Sequence, residues 1–236
     1  MLEQYDLHNL MVLDIETVPQ YSTHDQVPEA LQKLWERKTV GNRKADETPE
    51  VFYERAGIWA EFGKIICISV GIFTKSGAIG LRVKSFASHD EKELLIKFAD
   101  LLRSQPSNLI LCAHNGKEFD FPYICRRMLI NGVQMPPQLE ISGKKPWEVN
   151  HLDTMELWKF GDYKSYTSLS LLTSIFDIPT PKDDIDGSMV GHVYWAENNL
   201  ERIATYCQKD VIATAQLLRR YRGEELISDD YITLIG

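Results

Sequence analysis

Four cysteines in 236 residues, with no C-x-x-C pair and no histidine cluster at zinc spacing, leave this chain without a disulfide framework or a zinc-finger pattern. Cys67, Cys112, Cys125 and Cys207 stand far apart, most of them inside apolar or helical runs, and read as reduced core residues. No apolar stretch approaches the roughly 18–20 residues that a membrane-spanning helix needs. The N-terminus lacks the charged-then-apolar-then-small order of a signal peptide. A cytoplasmic protein that does not enter a membrane is the expectation. Internal repeats and low-complexity linkers are absent too, so one domain over residues 1–236 is expected. Also missing is an excess of basic charge: 26 Lys and Arg against 34 Asp and Glu give a net charge of −8. A basic footprint is the usual mark of a nucleic-acid binder. The acidic balance argues against long-range capture of a duplex, but not against an enzyme that holds one strand end through few phosphates.

What is present is ordinary for a globular domain: 44% apolar and 25% charged residues, enough for a sizeable core. Residues 10–15 form a short apolar run ending in acids, which reads as a buried strand. Residues 27–38 suggest an amphipathic helix with Leu31, Leu34 and Trp35 on one face, and a second helix is expected from Thr48 through Trp59. A β-branched strand over 64–73, a turn at Gly77 and a partner strand over 79–86 predict a hairpin. Ser88 with Glu91 suggests a capping box opening a helix to about Arg103. Strands are expected at 108–114 and 149–154, and helices at 122–130, 168–176 and 198–221. Residues 179–187 read as an exposed acidic loop. Together these describe an α/β domain with a mixed central sheet flanked by helices, in which residues 19–62 form a helical insertion.

Chemistry concentrates in three motifs. In MVLDIET, Asp14 and Glu16 lie two apart on a strand, so both side chains share a face and repel unless a cation lies between them. In HNGKEFDFP, Asp120 follows a buried strand and a turn, with Gly116 free to adopt positive φ. In YCQKDV, Tyr206 and Asp210 are one helical turn apart on one face. Singly, each has an ordinary explanation: a fraying strand end, a helix N-cap, a solvated helix face. Jointly they describe a carboxylate site for divalent cations, and oxygen-only ligands suit Mg²⁺ or Mn²⁺ rather than zinc. His114 reads as a satisfied structural group, Asp153 as a structural acid at a strand end, and Phe119 as core. Lys144, Lys145 and Trp147 suggest either a strand clamp or a solvated loop, and Lys182 a phosphate contact diluted by Asp183, Asp184 and Asp186.

In this order, over residues 10–222, the three motifs resemble those of the DEDD superfamily of 3′–5′ exonucleases, in its tyrosine-bearing branch. Closer still, the chain resembles a free-standing predicted exonuclease related to the proofreading domain of family-B DNA polymerases. The resemblance implies a ribonuclease H-like fold and two bound Mg²⁺ or Mn²⁺ ions. It implies Asp14, Glu16, Asp120 and Asp210 as metal ligands and Tyr206 as the residue that orients the attacking water. Thr17 and Asn115 become candidate substrate contacts. The implied reaction releases nucleoside monophosphates from single-stranded or frayed 3′ ends, with DNA as the expected substrate. An RNA- or oligonucleotide-directed exonuclease and a catalytically silent nucleic-acid-binding module remain the alternatives.

Overall fold

A computed structural model describes residues 2–76, 78–162, 164–179 and 185–235. The turn at Gly77 and the residues Lys182, Asp183 and Asp184 lie outside the described residues. The strands are β1 (Leu10–Pro19), β2 (Gly63–Ser76), β3 (Ala78–Ala87), β4 (Ile110–Ala113), β5 (Leu152–Asp153) and β6 (Ile232–Ile235). They form a mixed six-stranded sheet in the order β5-β4-β1-β2-β3-β6. β1, β2 and β3 are antiparallel neighbours, whereas β4 joins β1, β5 joins β4 and β6 joins β3 in parallel. The helices are α1 (Glu29–Thr39), α2 (Pro49–Phe52), α3 (Glu91–Arg103), α4 (Asp120–Asn131), α5 (Thr154–Lys159), α6 (Leu169–Ile175), α7 (Val190–Trp195) and α8 (Leu200–Tyr221).

Strand periodicity divides the core into two layers. Met11, Leu13 and Ile15 of β1, with Ile68 and Val70 of β2, pack under Leu95 and Phe98 of α3 and Phe121 and Ile124 of α4. The opposite face carries Val12, Leu81 and Val83 against Val211, Ala215 and Leu218 of α8. Gly71 makes that approach possible, since a Cβ there would stand 2.8 Å from Val211 Cγ1. The β1–β2 register slips between Glu16 and Thr17, so that Glu16 pairs with Cys67 and Thr17 with Ile65. The odd residue is Ile66, and both it and Cys67 turn into the cluster under α7 and α8.

Several boundaries differ from the sequence expectations. β1 runs past Ile15 to Pro19, because β2 continues to pair with it there. Leu34 is 50% exposed and does not share the buried face of Trp35. The helix from Thr48 stops at Phe52 and tightens into a 3-10 stretch, Tyr53–Ile58. Asp90, not Ser88, caps α3 by accepting from Glu93 N–H. The strand expected over 149–154 is the short β5, and Ile185 of the supposed exposed loop is buried under α7. Residues between β1 and β2 have an aromatic centre of their own, where the Trp35 ring lies 5.1–5.8 Å from Phe52, Tyr53, Trp59 and Phe62.

Candidate active site

β4 pairs with β1 only at Leu10, Met11 and Val12, so the carboxyl end of β1 projects beyond its parallel neighbour. That projection carries Asp14, Glu16 and Thr17, and it leaves main-chain donors without a strand partner on the β4 side. Asp120, the first residue of α4, fills part of the gap: its Oδ1 accepts from Ile15 N–H at 3.2 Å. Asp120 is therefore not the N-cap; Phe119 holds that position, with its ring 5.3 Å from Tyr123.

α8 crosses the other side of β1. Cys207 Sγ lies 3.3 Å from Asp14 Oδ2 and 3.4 Å from Asp14 O. The Cys207 thiol also contacts Cys67, the residue opposite Glu16 in β2. One turn on, the Tyr206 hydroxyl hydrogen-bonds Asp210. Asp14 and Glu16 of β1, Asp120 of α4 and Asp210 of α8 are thus near enough to act on one another electrostatically.

Their electrostatics follow from that crowding. Burial first, then repulsion from Asp120 and Asp210, raises the Asp14 pKa well above the ordinary carboxylate value. Glu16 is raised by burial and then by Asp14 and Asp210. Burial pushes Asp120 up to about 7, with Asp153 adding repulsion and main-chain N–H groups working against it. Tyr206 is pushed far above the usual phenol value by burial, and then by Asp210 and Glu16. Glu16 is only 7% exposed, and its carboxylate accepts no hydrogen bond among the described residues. A self-repelling, largely buried group of carboxylate oxygens fits divalent cations.

The loop before α4 is held from below. Asp153 accepts from Asn115 N–H at 2.9 Å and Lys117 N–H at 3.0 Å, while also capping α5. His114 bonds Thr154 Oγ1 and Thr167 O, each at 2.9 Å, and burial lowers its pKa. Both residues tie the loop to its surroundings, in keeping with their structural reading. Asn115 takes the left-handed conformation (φ 63°), and Gly116 does not, contrary to the expectation for that glycine. The Asn115 carboxamide makes no hydrogen bond among the described residues, and Thr17 lies beside the Tyr123 hydroxyl. Trp147 is 74% exposed with Lys145 Nζ 5.3 Å from its ring. Sequence reasoning took Cys207 for inert core; its i, i+3 spacing to Asp210 was the signal that it shares the site's face of α8.

A family described as "Predicted 3′–5′ exonuclease related to the exonuclease domain of PolB" matches residues 58–232. That span includes Asp120, Tyr206 and Asp210 and begins after Asp14 and Glu16. A DNA polymerase of Pyrococcus glycovorans is 23% identical over 147 residues, which are 56% of this chain and 18% of the polymerase. DNA polymerase 1 of Pyrococcus abyssi is 23% identical over 179 residues, 68% of this chain and 23% of the polymerase. The chain therefore spans between 18% and 23% of the length of these relatives. The family B DNA polymerase of the hyperthermophilic archaeon Pyrobaculum calidifontis superposes with a TM-score of 0.49 and 14% identity, over 90% of this chain and 24% of its own.

Proposed function

Because the chain belongs to the family of predicted 3′–5′ exonucleases related to the exonuclease domain of PolB, we propose that it removes nucleotides one at a time from single-stranded or frayed 3′ ends of DNA, as nucleoside monophosphates. The observation that carries the reading is the meeting of Asp14 and Glu16 from β1, Asp120 from α4 and Asp210 from α8, each raising the proton affinity of others. The relatives' names favour DNA over RNA, since both are DNA polymerases.

In this reading Asp14, Glu16, Asp120 and Asp210 hold two Mg²⁺ or Mn²⁺ ions. When bound, such ions supply Lewis-acid activation of water and offset charge on the leaving 3′-oxygen. Tyr206 keeps its proton, because burial and the neighbouring carboxylates oppose a phenolate. It donates a hydrogen bond to Asp210, and its oxygen lone pairs are left to accept from a water. Its role is therefore to hold the water in line rather than to deprotonate it. Thr17 and the Asn115 carboxamide contact the terminal nucleotide.

The test uses DNA and RNA oligonucleotides labelled at the 5′ end, with chelator, Mg²⁺ or Mn²⁺. Expected is stepwise shortening of DNA that requires the metal. Asp14→Ala and Asp210→Ala should lose nearly all activity while remaining folded. Tyr206→Phe should lose roughly 10–1000-fold, the range for one positioned water or donor. Full activity in excess chelator, or normal turnover in either Asp variant, would refute the assignment.

A further inference from the structure

We propose that the Tyr166 ring, backed by Lys159, is a stacking platform for a base of the substrate strand upstream of its 3′-terminal nucleotide. The claim rests on the nuclease reading for its substrate and adds a subsite to it. Trp158 anchors this stretch of chain, its ring 5.7 Å from Phe176 and 6.3 Å from Tyr221. Lys159, the last residue of α5, reaches the loop before α4. Its Nζ lies 3.7 Å from Glu118 Oε1 and 4.0 Å from the centre of the Tyr166 ring, and its side chain is only 12% exposed. The Tyr166 hydroxyl donates to Glu118 Oε2 at 3.3 Å. One residue on, Thr167 O accepts from His114 Nε2 at 2.9 Å. The ring is therefore tied at its hydroxyl, on one face and through its neighbour, and two of those ties go to the loop that leads into Asp120.

A tyrosine satisfied by a lysine and a glutamate is ordinary on a protein surface, so what stays uncovered decides. Tyr166 is 63% exposed although three contacts hold it in place. Phe160, next to Lys159 in the chain, is 78% exposed. Two aromatic side chains thus flank one mostly buried lysine and face water. Apolar ring surface in water is unfavourable, and a nucleobase covers it whatever its sequence, since every base has a π-face. The cations here are already paired, Lys159 with Glu118 and Lys117 with Glu156. The patch therefore offers stacking more than attraction for phosphate. Such a platform selects unpaired strands, because a base inside a duplex is stacked on both sides. The terminal nucleotide is assigned to Thr17 and Asn115, so the platform serves a base further up the strand.

The test measures binding of 5′-fluorescein oligothymidylate DNA in Ca²⁺ by anisotropy, beside its shortening in Mn²⁺. Tyr166→Ala should weaken binding by about 5–100-fold, the worth of one stacked base. Tyr166→Phe keeps the ring and should stay within about threefold of the parent. The loss in Tyr166→Ala should be the same at low and high salt, because stacking releases no counterions. Tyr231→Ala, beside β6 at the opposite edge of the sheet, should bind like the parent. An abasic residue is then placed second, third or fourth from the 3′ end. At one of these positions it should weaken the parent as much as Tyr166→Ala does, and add nothing in that variant. A ring that only supported the fold would give additive losses at every position. Such additivity, or parental binding by Tyr166→Ala, would overturn the proposal. If the strand stacks in this way but is not shortened by the parent, the nuclease reading falls and the platform stands. If the strand is shortened and Tyr166 has no effect, only the platform falls; a parent that binds no strand removes both.

Discussion

Gly116 matters for space rather than for rotation. Its φ is not positive; the left-handed residue of that turn is Asn115, at φ 63°. A Cβ on Gly116 would stand 2.4 Å from Ala113 Cβ and 3.1 Å from Phe121 Cζ. Ala113 ends β4 and Phe121 follows Asp120, so the missing methyl sets how closely the strand end approaches the start of α4. The sequence shows a turn at Asn-Gly but not which of the two takes positive φ, because asparagine is among the non-glycine residues that adopt that region most readily. Gly116→Ala should destabilise the protein by ~1–3 kcal/mol, the usual cost of overpacking. It should also weaken Mn²⁺ binding by shifting Asp120. Urea unfolding and calorimetry check the two effects; a variant of parental stability would show that Phe121 has room to move.

Elements were legible where periodicity ran long, as in β2, β3, α3 and α8, and less so where a few residues decide. Glu91 illustrates the limit. Its place three residues after Ser88 fits a capping box, yet its side chain turns inward. It accepts from Arg127 Nε at 2.8 Å, Ile65 N–H at 2.7 Å and Asn131 Nδ2 at 2.8 Å, linking α3 to α4 and β2. No local rule anticipates a partner that is supplied by α4. The short α5 and α7 escape for the same reason, and β5 is shorter than its sequence suggests: tertiary contacts, not propensity, hold segments of two to six residues. His151 completes the edge of β4 that β5 leaves open. Its Nδ1 accepts from Leu111 N–H at 3.2 Å while its Nε2 donates to Gln138 O at 2.8 Å, so the ring must be neutral. Burial lowers its pKa to about 4. The sign follows from linkage: the unfolded imidazole takes up a proton near pH 6.5, where the folded one does not. The His151 contribution is therefore complete above about pH 6.5 and falls away toward pH 4, by up to ~3 kcal/mol. His151→Gln should flatten that part of the curve of unfolding free energy against pH, measured in urea from pH 4 to 8. An unchanged slope would assign the acid sensitivity to other groups.

At the scale of the molecule, the mixed sheet flanked by helices was readable from the alternation of strand and helix patterns. Two things were not readable: how far β1 projects beyond β4, and the balance of charge around the site. The net charge is −8, and the lysines nearest the loop before α4 are paired, Lys117 with Glu156 at 2.7 Å and Lys159 with Glu118 at 3.7 Å. No helix among the described residues is long and apolar enough to cross a membrane. A surface of this kind has little to offer a phosphate backbone at long range, and on the proposed reading the substrate is held at the strand end itself. With about two or three phosphates engaged, the apparent affinity for single-stranded DNA should fall with salt at a logarithmic slope of only about −2. That is roughly a tenfold loss from 50 to 200 mM, against 10³ or more for a protein gripping many phosphates. A circular single strand, which offers no 3′ end to the projecting tip of β1, should survive and should compete poorly with a linear strand of the same sequence. Fluorescence anisotropy of linear DNA in Ca²⁺ across that salt range, with circular DNA as competitor, measures both. A slope several times steeper, or equal competition by the circle, would mean that binding is spread along the strand and not concentrated at its end.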